Sequence, residues 1–429
     1  MDSINVLLLG SGGREHAIAW KLSQSSGLNQ LYIAPGNPGT EQHGKNLDLD
    51  IFDFQAVEKA VDDLNIGLVI VGPEQPLVDG ISDYLQDNNV AVFGPSKAAA
   101  RLEGSKSFAK AFMQRNNIPT AGYRTFSIDE FDEAKRFIRE ENRYPVVLKA
   151  DGLAAGKGVF ICESEDEMEK RLTQLFEDKN LKDAASTLVV EDFMVGEEAS
   201  VFVICDGESG RVIHNAQDHK RIGEGDTGLN TGGMGAYAPA PLLPDSMMER
   251  IKDEIIEPTI RGMKNEGVPY QGILYVGLMI TGEGPKVVEY NCRFGDPECQ
   301  VILPPLQNDL LELITAATNQ TLSDVEISVS DRYYCSVVLA SGGYPTSYEK
   351  GFIISGINTC DRDALIFHSG TIMKDGELRT NGGRVLNVVG SGETLQEAID
   401  HSYKNMKLIS FKDSYYRRDI GKKGMKKVD

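Results

Sequence analysis

At 429 residues the chain is long enough for about three domains of ordinary size, and its 25% charged and 41% hydrophobic residues are those of a soluble globular protein. Its net charge of −20 excludes a nucleic-acid or anionic-membrane partner, since both select a basic surface, but leaves room for phosphorylated small molecules in a locally positive cleft. Six cysteines without CxxC or zinc spacing, an opening apolar run too short for a signal peptide (Val6–Leu9) and no apolar stretch of about 18 residues point to a reduced, cytoplasmic, non-membrane protein.

Residues 1–104 alternate short apolar runs with amphipathic stretches. Val6–Leu9, Leu31–Ile33, Leu68–Val71 and Ala91–Phe93 read as parallel strands with helices between them, a small doubly wound α/β domain. A helix carrying Lys106, Phe108 and Lys110 opens a second domain, 105–327. Within it, about 120–195 forms a compact lobe with strands Pro145–Lys149, Val159–Cys162 and Thr187–Glu191. Further strands are expected at Ala199–Ile204, Ile273–Ile280 and Lys286–Asn291, then a helix after Pro304. A third, β-rich α+β domain spans 328–420 and begins with a strand at Arg332–Ala340. The basic tail 421–429 reads as disordered.

The stretch VVEYNCRFGDPECQ, 287–300, carries the most chemistry. Strand alternation puts Glu289, Asn291 and Arg293 on one face. A carboxylate and an amide oxygen two residues apart are hard ligands suited to Mg²⁺, and an arginine beside them can neutralise phosphate. Gly295, Asp296, Pro297 and Glu298 then turn the chain and add two more carboxylates.

The first strand runs into Gly10, Ser11, Gly12 and Gly13, where glycines let backbone N–H groups approach a phosphate at a helix N-terminus. A dinucleotide fingerprint would need glycine or alanine where Glu15 stands, and an acid after Leu31–Ile33, where Ala34, Pro35 and Gly36 follow. That leaves a tight structural turn or a substrate-binding loop. Lys149 ends a strand and precedes a loop with Gly152, Gly156 and Gly158, a glycine flap with a point charge for phosphate. The GxxxxGK[ST] order of a P-loop is absent. A second strand ends in Glu191, Asp192 and Phe193, with Glu198 beyond. Residues 218–237 hold Lys220 and Arg221, then many glycines, as suits a loop that closes on substrate.

The segment RFGDPECQ resembles the signature of the phosphoribosylamine–glycine ligase family, ATP-grasp enzymes of purine synthesis. GSGGREHA at 10–17, PGNPGT at 35–40, KADGLAAGKGV at 149–159, DTGLNTGGMGAY at 226–237 and ASGGYP at 340–345 are similar to the same family in the same order. The resemblance implies an ATP-grasp fold for 105–327. ATP would be held by Lys106, Lys149, Gly156, Lys157 and Gly158, adenine by the backbone around Glu191 and Phe193, and ribose by Glu198. It implies Mg²⁺ or Mn²⁺ on Glu289 and Asn291. It implies a phosphoribosylamine pocket from Gly12, Gly13, Arg14, Glu15, Gly36, Asn37, Pro38, Gly72, Pro73 and Glu74, with Thr231, Gly232, Gly233, Met234, Gly235, Gly295 and Asp296. Arg293, Lys149, Asp218 and Lys220 would carry the catalysis.

The implied partners are small molecules (ATP, glycine and 5-phosphoribosylamine), and the implied state is a monomer or small homo-oligomer. The implied reaction yields glycinamide ribonucleotide, ADP and phosphate through glycyl phosphate. Another ATP-grasp carboxylate–amine ligase, a carboxylase, and a non-catalytic ATP-binding module are the rival readings. The strand before the E-x-N strand, Tyr275–Ile280, offers no additional metal-binding acid.

Overall fold

The computed structural model describes residues 3–153, 158–177 and 187–425. Five parallel strands form the first sheet: β1 (Ile4–Gly10), β2 (Leu28–Pro35), β3 (Lys45–Asn46), β4 (Ile66–Val71) and β5 (Val92–Phe93), in the order β3-β2-β1-β4-β5. Leu7 and Leu9 enter one core while Val6 and Leu8 enter another, so both faces are covered, as a parallel sheet requires. β2, β1 and β4 are neighbours. The glycine segments after them therefore lie side by side at the carboxyl edge of one sheet.

A second, antiparallel sheet consists of β6 (Tyr123–Ser127), β7 (Val146–Ala150), β8 (Val159–Cys162) and β9 (Thr187–Asp192), in the order β6-β9-β7-β8. Helices Phe131–Glu141 and Glu165–Glu177 accompany it, and Ala134, Ile138, Met168 and Leu172 pack with Leu148, Leu188 and Val190. The sequence did not suggest β6. Of Tyr123–Ser127 only Phe126 is buried, so no apolar run marks the strand.

The remaining strands are β10 (Glu197–Asp206), β11 (Gly210–Asp218), β12 (Arg221–Gly223), β13 (Thr227–Asn230), β14 (Gly235–Ala238), β15 (Gln271–Thr281), β16 (Gly284–Asn291), β17 (Tyr333–Ser341), β18 (Leu365–His368), β19 (Thr371–Lys374), β20 (Glu377–Thr380), β21 (Arg384–Gly392) and β22 (Ser414–Tyr415). They build one large sheet, β16-β15-β10-β11-β14-β17-β21-β18, with β22 beside β17 and two separate hairpins, β12–β13 and β19–β20. The ladder does not break near residue 328. β14 pairs with β11 on one side and β17 on the other, so a single sheet crosses the boundary expected from sequence.

Residues 218–237, expected as an open closing loop, fold into the end of β11, the β12–β13 hairpin and β14. The C-terminal segment clamps that hairpin. Arg417, fully buried, pairs with Asp226 at 2.9 Å and Asp419 at 2.8 Å and donates to the Arg221 carbonyl at 2.9 Å. Lys423 reaches Asp226 at 2.7 Å, and Gly225 N–H donates to Asp419 at 2.8 Å. This corrects the reading of the basic tail as disordered: Lys422–Met425 is a 3₁₀ turn held by an ion pair, and only 426–429 lie outside the described residues.

The clamp gives a stability prediction. Arg417→Met leaves Asp226 and Asp419 without the buried guanidinium, and denaturant unfolding should show a loss of about 3 kcal/mol. A loss below about 1 kcal/mol would mean that Lys423 and solvent already balance the two acids.

Candidate active site

β16 places the expected metal ligands. Its register against β15 pairs Glu289 with Gly277 and Val287 with Leu278, so Val288 bulges out of the ladder. The bulge sends Val287 and Tyr290, three residues apart, into the same core, where the Tyr290 hydroxyl lies 2.7 Å from Thr259 Oγ1. Glu289 and Asn291 face the other way. Asn291 is nine-tenths buried, and its side chain makes no hydrogen bond to another described residue. One anionic and one neutral oxygen on one strand face form a donor set that fits Mg²⁺ or Mn²⁺.

Lysines from three elements surround this pair. Lys220, after β11, lies 3.8 Å from Glu289 and 2.7 Å from Glu198 on β10. Lys149 on β7 is buried, 2.9 Å from Glu191, and donates to the Val288 carbonyl at 3.3 Å. Lys106 begins the helix Lys106–Arg115 and donates to the Gly152 carbonyl at 2.9 Å. Desolvation disfavours the charge on Glu289, yet Lys220, Lys149 and Lys106 hold its carboxyl below the usual range. Glu198, expected to meet ribose, is thus also the partner of Lys220.

Arg293 is not free to act only on phosphate. Its Nη2 lies 2.7 Å from Glu103 and its Nε 3.1 Å from Glu74, and Glu103 also accepts the Cys292 N–H at 2.7 Å. Burial works against the Glu74 carboxylate, but Arg293 and Arg14 hold it down to about 2. Arg293 therefore fastens the end of β16 to the first domain.

The glycine loop also departs from expectation. Gly12 N–H donates to Glu15 Oε2 at 2.6 Å, and the Asp296 carboxylate accepts the Gln300 amide at 2.8 Å and pairs with Arg384 at 3.4 Å. Arg14 pairs with Glu15 at 2.6 Å and donates to the Phe294 carbonyl at 3.1 Å. The N-terminus of helix Gly13–Leu22 is thus occupied by two carboxylates, each paired with an arginine. Gly10 has φ +125°, and a Cβ at Gly10 or Gly72 would fall within 2.5 Å of Glu15. Both glycines exist to admit that side chain.

Gly13 abuts Asn387, Ser369 and Gln300, all from the far end of the chain. Gly36 has φ +70° and packs on Asn46, while Asn37 donates to the Ser11 and His368 carbonyls at 2.8 and 3.0 Å, a structural tie. Pro38 lines a cavity of about 250 Å³ with Gln42, Ile357 and His368. Pro73 precedes the helix Glu74–Asp79, whose first residue is the partner of Arg293.

Asp218 and Glu298 form a buried acid pair beside Lys220. The Glu298 carboxylate accepts the Tyr275 hydroxyl at 2.8 Å, so β15, which carries no acid, holds one instead. Burial pushes the Asp218 carboxyl up to about 7, with Lys220 opposing and Glu298 adding to the shift. Thr231 donates to the Lys220 carbonyl at 2.9 Å, and Gly232 and Asp296 give their carbonyls to Arg384 at 2.6 and 2.7 Å. Gly295 packs against Glu298, and Gly233, with φ +108°, against Pro297. Met234 is buried in the C-terminal core, and Gly235 pairs with Val337 in the sheet.

Gly158 accepts the Ala150 N–H at 2.8 Å, while Gly156 and Lys157 lie outside the described residues. Phe193 is partly exposed just past β9. Sequence reasoning missed Glu103, Glu298, Arg384 and Lys110 as site residues. Two of them carried a signal: Lys110 by its spacing of four from Lys106 on one helix, and Glu298 by its place in the acidic turn after β16. A separate group, Asp361, Asp363 and His401, is tied up with Lys404 and the Ser391 N–H.

The ligand pair predicts metal dependence. Glu289→Gln and Asn291→Leu should each raise the Mg²⁺ concentration for half-maximal activity by about tenfold or more, and the double variant should lose less than the sum. Asp253→Asn, on an exposed helical surface, is the control and should match the parent. Unchanged Mg²⁺ titrations in both site variants would reduce the pair to a strand end.

Three family models cover the chain: phosphoribosylglycinamide synthetase N domain at 4–103, ATP-grasp (A) domain at 104–299 and C domain at 334–423. A phosphoribosylamine–glycine ligase of Mesorhizobium japonicum is 51% identical over 97% of this chain and 98% of its own. The crystal structure of phosphoribosylamine–glycine ligase from Thermotoga maritima superposes with TM-score 0.84 at 34% identity, covering 97% of this chain and 100% of that one. A biotin carboxylase from Campylobacter jejuni, at 16% identity and TM-score 0.73 over 100% and 96% of the two chains, shares the fold alone. The chain belongs to the phosphoribosylglycinamide synthetase family.

Proposed function

We propose that the chain ligates glycine to 5-phosphoribosylamine, converting ATP to ADP and phosphate, in purine biosynthesis. The observation that carries this reading is the convergence of Lys106, Lys149 and Lys220 on Glu289, beside the glycine segments of the first sheet. ATP is proposed to lie between the β6–β9 sheet and the large sheet, its phosphates toward those lysines. A divalent cation on Glu289 and Asn291 supplies further neutralisation of phosphate oxygens.

Carboxylate is a poor acyl donor because its leaving group would be oxide. Glycine's carboxylate therefore attacks the γ-phosphate, and the lysines offset the charge that builds up. The glycyl phosphate so formed is attacked by the amine of phosphoribosylamine, and phosphate departs. No side chain becomes covalently attached; positioning and charge do the work. Asp218, poised near neutrality, is suited to take the proton that the attacking amine loses. Glu15, Glu74 and Asp296 suit the hydroxyl and amine donors of the sugar better than its phosphate.

The cation is proposed as Mg²⁺ or Mn²⁺, the setting as the cytoplasm, and the assembly as a monomer or small homo-oligomer. No helix among the described residues is long and apolar enough to cross a membrane.

Drop-one assays test the reading. Phosphate release from ATP should require both glycine and phosphoribosylamine; release that depends on bicarbonate instead would favour a carboxylase. The pH profile tests Asp218. A base must be unprotonated, so kcat/KM should show an ascending limb through about pH 7. Asp218→Asn should lose that limb and about 100-fold in kcat. Persistence of the limb in this variant would move the base elsewhere.

A further inference from the structure

Lys110 has no place in the mechanism above, yet it is almost fully buried and bound at every turn. Its ammonium lies 2.9 Å from Glu191 Oε2, while the Lys149 ammonium lies 2.9 Å from Oε1 of the same carboxylate. Lys110 also donates to Thr120 Oγ1 at 2.8 Å, and that hydroxyl donates to the Val287 carbonyl at 2.7 Å. Lys149 donates to the next carbonyl, that of Val288. Two paths, each an ion pair followed by hydrogen bonds, therefore run from one buried carboxylate to the two residues that precede Glu289.

The charges count as two cations on one anion. Lys149 alone would neutralise Glu191, forming a closed pair with little field left for phosphate. With Lys110 present, Glu191 is shared between two ammoniums, so the Lys149 charge is not wholly spent on it and is open to an arriving anion. The helix phase fits: Lys106 and Lys110 are four apart and share a face. Lys106 holds the Gly152 carbonyl at the root of the flap, while Lys110 holds the strand behind it.

We propose that Lys110 is a positioning residue for nucleotide phosphate: it takes up Glu191, leaving Lys149 charged and available, and ties the β6–β9 sheet to the strand bearing Glu289. This rests on the reading of Lys149 as a phosphate contact. The groups facing Lys110 are Lys149 on β7, Glu191 and Asp192 on β9 and the Tyr123 ring on β6. Burial brings the Lys110 ammonium down to about 8, with Glu191 opposing and Lys149 assisting. Its charge is lost as pH rises through that value.

The test measures ATP binding and steady-state kinetics on the full chain, with thermal melts as the check on folding. Lys110→Met should raise the KM for ATP about 10-fold or more while leaving the KM for glycine within twofold. Lys110→Arg should restore ATP use and, because arginine does not titrate, extend activity to higher pH. The decisive variant is the double Lys110→Met/Glu191→Gln. Removing the carboxylate frees Lys149 again, so ATP affinity should recover by at least half of the logarithmic loss. No recovery in a folded double variant would overturn the proposal, as would a wild-type ATP KM in Lys110→Met. Lys149→Met separates the two ideas: wild-type ATP affinity there would sink the assignment of ATP to Lys149 itself, whereas weakened binding there with a silent Lys110→Met would sink the positioning role alone.

Discussion

The site depends on one guanidinium. Arg293 sits two residues past Asn291 and binds Glu74 and Glu103, which lie 219 and 190 residues earlier in the chain. It closes a long loop, fixing the end of β16 against the carboxyl edge of the first sheet. Glu103 adds a second hold by accepting the Cys292 N–H. Breaking a buried pair of this kind costs about 3–5 kcal/mol, because an acid is left inside without its counter-charge. The place of Glu289 and Asn291 relative to the glycine segments is therefore held by ion pairs.

Charge is sorted in space within a chain of net −20. Lys106, Lys110, Lys149 and Lys220 gather around Glu191, Glu198 and Glu289. A local group of cations in an otherwise acidic chain focuses the field into the cleft, where low polarisability makes each charge count for more. The acids are what make such a cluster foldable. Four lysines without carboxylates would lose their protons or unfold the lobe, and four with full pairing would have nothing left for a nucleotide.

Much of this was legible beforehand, and the gaps have physical reasons. Parallel strands β1, β2, β4 and β5 announced themselves by apolar runs buried on both faces. The E-x-N strand was legible as well, although its bulge at Val288 was not: a bulge is a property of pairing, visible only once β15 is beside β16. β6 and β14 escaped because neither carries a long apolar run. The clamp on 218–237 escaped because Arg417 and Asp226 are 191 residues apart, and a basic tail looks the same whether solvated or paired. The same holds for Glu103, whose partner lies 190 residues onward.

The first glycine loop shows how a motif and its chemistry can part. Glycines before a helix advertise an anion site, since orphan N–H groups and the helix dipole both favour negative charge. Here the anions are supplied by the chain itself, Glu15 from inside the helix and Asp296 from beyond β16. An internal carboxylate at van der Waals distance leaves no room for a second anion. The acids are in turn matched by arginines, Glu15 by Arg14 at 2.6 Å and Asp296 by Arg384 at 3.4 Å, so the segment is a balanced ion-pair network. A glycine motif thus marks a place where backbone and side chains approach closely, and the charge that arrives there is settled by residues far along the chain.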